Sequence, residues 1–137
     1  MNPLRSLQEH GQAVWLDFVA RRFLTEGGLK KLIDEDGLRG VTSNPAIFEK
    51  AIGHSGDYDG SLKAAEAHAD LDVKALYERL AVEDIQQAAD ILRPVYQTTK
   101  RRDGFVSLEV SPYLAMDTDG TIEEARRLWR AVDRENL

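Results

Sequence analysis

The sequence predicts an α/β fold built on a parallel β-sheet. Three short β-prone runs, at residues 13–18, 40–44 and 105–110, are separated by stretches whose apolar residues recur at helical spacing. Strands that alternate with helices join through right-handed crossovers, which makes neighbouring strands parallel. Parallel strands are covered on both faces, in agreement with the nearly continuous apolar first run. The length of 137 residues predicts one domain over residues 1–137, since domains typically hold about 100–200 residues.

Capping residues predict where the first helices begin and end. Asn2, followed by a proline, predicts a short N-terminal helix that ends near Gly11. The first strand, residues 13–18, follows, and a helix over residues 28–35 with one apolar face comes next. Asn44 closes the second strand and, again followed by a proline, caps another helix. Strand two therefore leads directly into a helix N-terminus.

Between the second and third strands the sequence predicts a loop and a long helix. Residues 53–60 are rich in glycine, serine and aspartate and predict a loop with little structure of its own. From Leu71 onward the apolar spacing is helical, with a break expected near Ala81 and Val82 and a kink near Pro94.

The last part of the chain predicts a third strand and a final helix. Residues 105–110 form the β-prone run, which ends at a serine-proline loop. Thr121 and Glu124 have the spacing of a capping box, so the helix is expected to begin there and to run nearly to Leu137.

Composition excludes several classes of function. The net charge of −6 comes from acids scattered among bases, which argues against nucleic acid or an anionic membrane surface as a partner. The chain has no cysteine, which excludes disulfides, thiolate metal sites and a thiol nucleophile. It shows no signal core and no apolar run approaching the ~20 residues that span a bilayer. A cytoplasmic location is the prediction.

Each predicted strand carries one polar group near its carboxyl end: Asp17, Asn44 and Glu109. Ligands of parallel α/β folds bind at these ends, so we expect the three side chains to share one site. A carboxylate buried among strands is costly unless it is paired, and two such groups with unequal pKa values supply an acid and a base. The alternatives are that Asn44 only caps a helix and that the acids form ion pairs with arginines: Arg21, Arg22 or Arg39.

Histidine and lysine add no candidate site by themselves. His10, His54 and His68 share no ligand spacing with the acids, so no metal site is predicted. The lysines all fall outside the predicted strands, where an amine remains a solvated charge: Lys30, Lys31, Lys50, Lys63, Lys74 and Lys100.

Three segments resemble the transaldolase family. Residues 40–48, GVTSNPAIF, resemble its signature, residues 15–17, WLD, resemble its first strand, and residues 107–112, SLEVSP, resemble its third. The similarity continues to EARRLW at residues 124–129 and so covers essentially the whole chain.

The resemblance implies the first three strand–helix units of a parallel (β/α)8 TIM barrel, incomplete in this chain. The family belongs to the pentose phosphate pathway and transfers a dihydroxyacetone unit between sugar phosphates through a lysine Schiff base, with no metal or organic cofactor. Carried over by position, Asp17 is the acid/base and Glu109 works through an ordered water. Asn44, supported by Thr42, holds substrate hydroxyls.

The sequence departs from the family at the nucleophile. The family's Schiff-base lysine lies on the fourth strand, whereas this chain ends at Leu137, so the chain alone is predicted to be inactive. Three strand–helix units also leave open sheet edges, through which the chain is expected to self-associate.

Two other functions stay open. The chain is alternatively a non-catalytic assembly or interaction module that pairs through its strand edges. It is also compatible with a smaller class I aldolase, a reading that the Thr42-Ser43-Asn44-Pro45 run and the helical insert after strand two disfavour.

Overall fold

The computed structural model describes residues 2–66 and 72–137, which alternate helices with three short strands. The strands are β1 (Trp15–Asp17), β2 (Gly40–Thr42) and β3 (Phe105–Val106). The helices are α1 (Pro3–Ser6), α2 (Arg21–Thr25), α3 (Gly28–Asp36), α4 (Pro45–Gly53), α5 (Asp59–Glu66), α6 (Val73–Thr98) and α7 (Thr118–Val132). Single 3-10 turns cover Leu7–His10, Gly56–Tyr58 and Pro112–Leu114.

The strands form one parallel sheet in the order β1-β2-β3. Trp15 lies opposite Gly40 and Asp17 lies opposite Thr42, while Gly40 in turn lies opposite Phe105. The predicted α/β class with parallel strands is confirmed. The caps predicted at Asn2 and Asn44 are also confirmed, since each side chain accepts a backbone N–H of the helix that it precedes.

Every strand is shorter than its β-prone run. Of the predicted run 13–18, only three residues form the strand that the structure shows. The run 40–44 likewise retains three residues in a strand, and the run 105–110 retains two. Apolar character predicts burial but does not by itself supply a backbone partner, so the runs overestimate the strands. Leu108, for example, packs against the core although β3 ends at Val106.

The core lies between the sheet and α6. Val41 of β2 and Val106 of β3 join one buried cluster with Ile85, Ala89 and Leu92 of α6. The opposite face of β1 is open to solvent, because Trp15 and Asp17 are both exposed. β1 is therefore covered on one face only, and its other face presents Trp15 and Asp17 to solvent.

Helix α6 is continuous from Val73 to Thr98. The break predicted near Ala81 and Val82 was wrong: Ala81 is 3% exposed and belongs to the core cluster, and Val82 packs against it. The predicted start at Leu71 lies outside the described residues, and the described helix begins after Asp72, which caps it. The helix also continues through Pro94, where the predicted kink stays a prediction. None of the helices described is both long and apolar enough to cross a membrane.

The segment predicted as an unstructured loop, residues 53–60, contains a 3-10 turn and the start of α5. Its composition correctly indicates turns, but the prediction was wrong about structure because Tyr58 anchors the segment. The Tyr58 ring is completely buried and its hydroxyl donates to Asp84 Oδ2 at 2.5 Å. That partner lies 26 residues away and leaves no local signal.

Helix α7 begins earlier and ends earlier than predicted. Asp117 caps it by accepting the Gly120 N–H at 2.9 Å, so the predicted capping box at Thr121 is not the start. The helix ends at Val132, where Asp133 takes a left-handed backbone conformation. Asn136 then returns to the sheet, and its carbonyl accepts the Val106 N–H at 2.9 Å.

Candidate active site

Asp17 and Thr42 end neighbouring strands and are joined by a hydrogen bond. They are register partners in the β1–β2 ladder, so their side chains lie side by side on the same face. The Thr42 hydroxyl donates to Asp17 Oδ1 at 2.7 Å. One oxygen of the carboxylate is thus oriented by a neighbour, and within residues 2–66 and 72–137 no side chain or backbone group binds Oδ2.

Asn44 stands two residues after Thr42 in extended conformation and begins α4. Its side-chain oxygen accepts the Ile47 N–H at 3.0 Å, which is the bond of an N-cap. The amide nitrogen has no acceptor among the described residues, and the side chain is half-buried. The cap uses the acceptor of Asn44 and leaves its two N–H donors for a ligand.

Glu109 is not part of a strand. β3 ends at Val106, so Glu109 lies in the segment between β3 and α7. The prediction of a strand through residue 110 was wrong because β3 has few backbone partners at this end: Ser107 N–H still reaches Val41 O at 2.9 Å, after which the described ladder stops. No hydrogen bond connects Glu109 to Asn44, Thr42 or Asp17 among the described residues.

The expectation that both carboxylates are buried was also wrong. Asp17 and Glu109 are exposed, since apolar neighbours along a strand do not guarantee that its outer face is covered. The burial argument for an acid and a base therefore does not hold for this chain. The alternative ion pairs do not form either, because the arginines bind other acids: Arg21 binds Glu83 and Asp84, Arg22 binds Asp57, and Arg39 lies 4.0 Å from Asp103.

Ser43 is a site residue that the sequence interpretation missed. It is 1% exposed, and its hydroxyl donates to the Ser107 carbonyl oxygen at 2.7 Å. This bond joins the ends of β2 and β3 on the face opposite Thr42 and Asn44. Its position between Thr42 and Asn44, where alternation points it toward the core, is the signal that could have revealed it.

A buried ionic network holds the chain that follows β1. Arg21 donates to Asp84 Oδ1 at 2.8 Å, to Glu83 at 3.0 Å and to the Ser61 hydroxyl at 2.9 Å. Tyr58 completes the network by donating to Asp84, and the Arg21 guanidinium lies 4.5 Å from the centre of the Tyr58 ring. The network fixes the chain four residues after Asp17 to α6.

Burial shifts the pKa values of two groups in this network, Tyr58 and Asp84. Burial raises the pKa of the Tyr58 hydroxyl above its usual range, and its hydrogen bond to Asp84 raises the pKa further. Burial also raises the pKa of Asp84, although the hydrogen bonds from Tyr58 and Arg21 oppose the shift. The sequence signal for this site was an acid at position 84 inside a buried helical stripe, between Leu80 and Ala88.

A cavity of about 300 Å³ lies beside Asn44 and Glu109, between α4, α6 and α7. Its walls are mainly apolar and include Phe48, Tyr77, Leu108 and Leu128. Asp17 and Thr42 do not line it. The structure therefore joins Asp17 and Thr42 on the exposed face of β1, whereas Asn44 and Glu109 each line the apolar cavity without a hydrogen bond between them among the described residues.

The six lysines all lie outside the strands, as predicted. Five are in helices, the sixth, Lys100, follows α6, and all are exposed. Among the described residues, no three acids or histidines gather closely enough to hold a metal ion. His68 lies outside the described residues.

Comparison with known proteins decides the family. The model of the transaldolase/fructose-6-phosphate aldolase family matches residues 14–137. The chain belongs to this family. The match includes Asp17, Thr42, Asn44 and Glu109, so every predicted site residue of the transaldolase resemblance falls inside it.

Several curated transaldolases are close relatives. The transaldolase of Thiobacillus denitrificans is 47% identical over 137 residues, which is 100% of this chain and 38% of that protein. Transaldolase 2 of Nostoc punctiforme is 46% identical over 136 residues, 99% of this chain and 35% of that protein. The transaldolase of Thermobifida fusca is 47% identical over 136 residues, 99% of this chain and 37% of that protein. The chain thus spans 35–38% of the length of these three relatives.

Proposed function

We propose that residues 1–137 form one domain, the N-terminal part of a transaldolase with a TIM barrel. The whole enzyme transfers a dihydroxyacetone unit between sugar phosphates through a lysine Schiff base. The observation that carries the proposal is the Asp17–Thr42 hydrogen bond at the carboxyl ends of two parallel strands, in a chain of this family. Barrel enzymes place their catalytic groups at these ends.

Asp17 is the proton-transferring group in this proposal. The Thr42 hydroxyl donates to Oδ1 and orients the carboxylate, while the side chain is exposed and Oδ2 has no partner among the described residues. An oriented carboxylate with one free oxygen suits removal of a hydroxyl proton as a carbon–carbon bond breaks. Thr42 acts through Asp17 and is a positioning residue.

Asn44 and Glu109 have separate roles. The free amide N–H groups of Asn44 suit donation to substrate hydroxyls, while its oxygen keeps α4 capped. Glu109 is assigned to act through water in forming and breaking the imine, and its exposure gives it access to water. The apolar cavity beside both residues is a poor match for a polyhydroxylated sugar phosphate, so we place the substrate on the open face of the sheet.

The 137-residue chain alone is proposed to be inactive. A Schiff-base amine must lose its proton readily, which requires a desolvated or electropositive site, whereas all six lysines are exposed and lie outside the strands. The outer edge of β1 supplies backbone groups for pairing, whereas Asn136 already binds the Val106 N–H on the outer side of β3. The isolated chain is therefore also proposed to self-associate, through β1. Light scattering tests that second point, and a stable monomer would contradict it.

A chimera tests the site. This chain replaces the matching segment of the Thiobacillus denitrificans transaldolase, and transfer between sugar phosphates is measured. Asp17→Asn is expected to lower kcat about 10²–10⁴-fold, the usual contribution of a positioned acid/base. Asn44→Ser retains a good helix cap and is expected to raise KM, because only the amide donors are lost.

Glu49→Gln alters an exposed acid of α4 and is expected to leave both constants unchanged. Asp17→Asn with full activity would refute the assignment of Asp17. For the isolated chain, borohydride in the presence of fructose 6-phosphate is expected to trap no adduct, and an adduct on any of the six lysines would refute its inactivity.

A further inference from the structure

A second cleft lies at the opposite end of the sheet from Asp17 and Thr42. It has a volume of about 610 Å³ and lies between the C-terminal ends of α6 and α7, beside the start of β3. Its lining holds four cationic, two acidic and two aromatic side chains: Arg93, Lys100, Arg101, Arg134, Asp133, Glu135, Tyr96 and Trp129. The cleft shares no residue with the apolar cavity beside Asn44.

The backbone of the cleft wall is in an unusual conformation. Among the described residues, three that are not glycine have positive φ: Lys100 (55°), Arg101 (67°) and Asp133 (50°). All three line this cleft. Helices commonly end on a left-handed residue, but glycine takes that conformation at the lowest cost. Lys100 and Arg101 therefore place long charged side chains where glycine fits better, and strained residues of this kind cluster at ligand and active sites.

The cations differ in how firmly they are paired. Arg134 binds Asp90 at 2.7 Å, and Arg93 lies 3.5 Å from the same acid. Arg101 meets Glu135 at 3.7 Å, but both side chains are more than 70% exposed, and such pairs contribute little. Lys100 has no carboxylate within 4.0 Å among the described residues. Lys100 and Arg101 are thus available to bind an anion.

A simpler explanation is that cations complement the negative ends of two helix dipoles. That accounts for basic residues near the ends of α6 and α7. It does not account for their placement on strained backbone, since a cation elsewhere in the last turn serves the dipole equally well. Nor does it account for Trp129, which is 49% exposed on the wall of a polar cleft.

We propose that this cleft binds a nucleotide. Lys100 and Arg101 hold the phosphate, for which ammonium and guanidinium groups are the usual partners. The exposed ring of Trp129 stacks on the base, a contact that every base offers because each has a flat π-face. The volume lies within the range of about 300–1,000 Å³ that small-molecule sites occupy. The proposal is independent of the transaldolase reaction.

The test uses the intact chain and its own fluorescence. The chain has two tryptophans, so a Trp15→Phe background leaves Trp129 as the reporter. Titration with AMP is expected to quench Trp129 saturably with Kd at or below about 1 mM. Inorganic phosphate offers only the charged group, and adenosine offers only the base and the sugar. Each is expected to bind at least about tenfold more weakly than AMP.

A stabilised variant separates binding from folding. Lys100→Gly/Arg101→Gly removes both cations and relieves both left-handed positions, so the double variant is expected to unfold at higher urea than the parent. Its affinity for AMP is expected to fall at least about tenfold, the loss of a charge-assisted contact. Arg126→Ala removes an exposed cation of α7 that does not line the cleft and is expected to leave the affinity unchanged.

Three outcomes would overturn the proposal. The first is no saturable quenching by AMP up to about 10 mM, where any remaining affinity is weaker than that of a specific site. The second is an affinity in the double glycine variant equal to that of the parent. The third is inorganic phosphate binding as tightly as AMP, which would make the cleft a simple anion site without recognition of a base.

Discussion

Replacing Asp84 by alanine tests whether the buried network stabilises the fold. Asp84 is fully buried and accepts hydrogen bonds from Arg21 Nε at 2.8 Å and from the Tyr58 hydroxyl at 2.5 Å. Its removal leaves a guanidinium whose side chain is 18% exposed and a buried phenol without an acceptor. Breaking a buried pair costs about 3–5 kcal/mol. Because Glu83 still pairs with Arg21 at 3.0 Å, we expect about 3 kcal/mol, the low end of that range.

An exposed pair of the same kind is the control. Arg134 binds Asp90 at 2.7 Å, but the two side chains are 25% and 47% exposed. Asp90→Ala is therefore expected to cost at most about 1 kcal/mol. Urea denaturation measures both variants, with the midpoint reporting stability and the slope reporting whether the transition stays two-state. The two pairs have nearly equal bond lengths, but Asp84 also accepts the Tyr58 hydroxyl, so the difference in cost reports burial together with that second hydrogen bond.

Arg21 and Asp84 are expected to be energetically coupled. Arg21→Met/Asp84→Leu removes both charges and is expected to destabilise less than the sum of the single changes, since neither charge is left buried alone. Tyr58→Phe keeps the ion pair and is expected to lose about 1.5–3 kcal/mol, which remains measurable if Asp84→Ala fails to fold. Equal costs for Asp84→Ala and Asp90→Ala, or strict additivity in the cycle, would refute the argument.

Three further predictions concern other parts of the fold. Gly40→Ala places a Cβ 2.3 Å from the Trp15 ring and is expected to lower the urea midpoint and shift Trp15 emission, whereas Gly53→Ala, with open space around it, is expected to be neutral or stabilising. Asn136→Ala removes the side-chain amide that donates to the Ala89 and Gly104 carbonyls, and it is expected to lose about 2–3 kcal/mol by denaturation. Hydrogen bonds from Arg127 hold the pKa of Glu124 below its usual 4.5. That stability is present above pH 4.5 and is lost as the pH falls through the lower folded pKa, so Glu124→Gln is expected to flatten the acid limb of a stability-against-pH curve; an unchanged limb would contradict this assignment.

Local signals in the sequence predicted local structure. Asn2 and Asn44 cap helices because the bond is made within three residues, and the spacing that predicts it lies within the same segment. Alternating strand and helix patterns predicted the parallel sheet for a different reason, since strands joined by helical crossovers run parallel whatever their separation in the sequence. From their places at strand ends, Asp17, Asn44 and Glu109 were expected to share one site, and the resemblance made Thr42 a support for Asn44. The structure instead bonds Thr42 to Asp17, its register partner on the neighbouring strand.

What the sequence could not predict depends on distant partners. Tyr58 orders a glycine-rich segment only because Asp84 lies 26 residues further on. Glu109 falls outside β3 because a strand ends where its backbone no longer has a hydrogen-bonded neighbour. The apolar pattern of the sequence gives no information about that neighbour. Asp17 is exposed because burial of a strand face depends on residues that are distant in the sequence, not on the apolar neighbours of Asp17 along the strand. In each of these three cases the wrong prediction was made from neighbouring residues in the sequence, whereas the structure depends on a tertiary contact.

The candidate site is held by contacts that lie behind it. β3 has only two residues in its ladder, yet the chain around it is fixed by Ser43 bonding Ser107 O and by Asn136 O accepting the Val106 N–H. On the other side, Arg21 ties the chain after β1 to α6. The polar groups on the open face are thus positioned by buried bonds on the core side of the sheet. These bonds lie on the core side of the sheet and do not depend on contacts to Asp17. They therefore hold Asp17 and Thr42 in register although Asp17 is exposed.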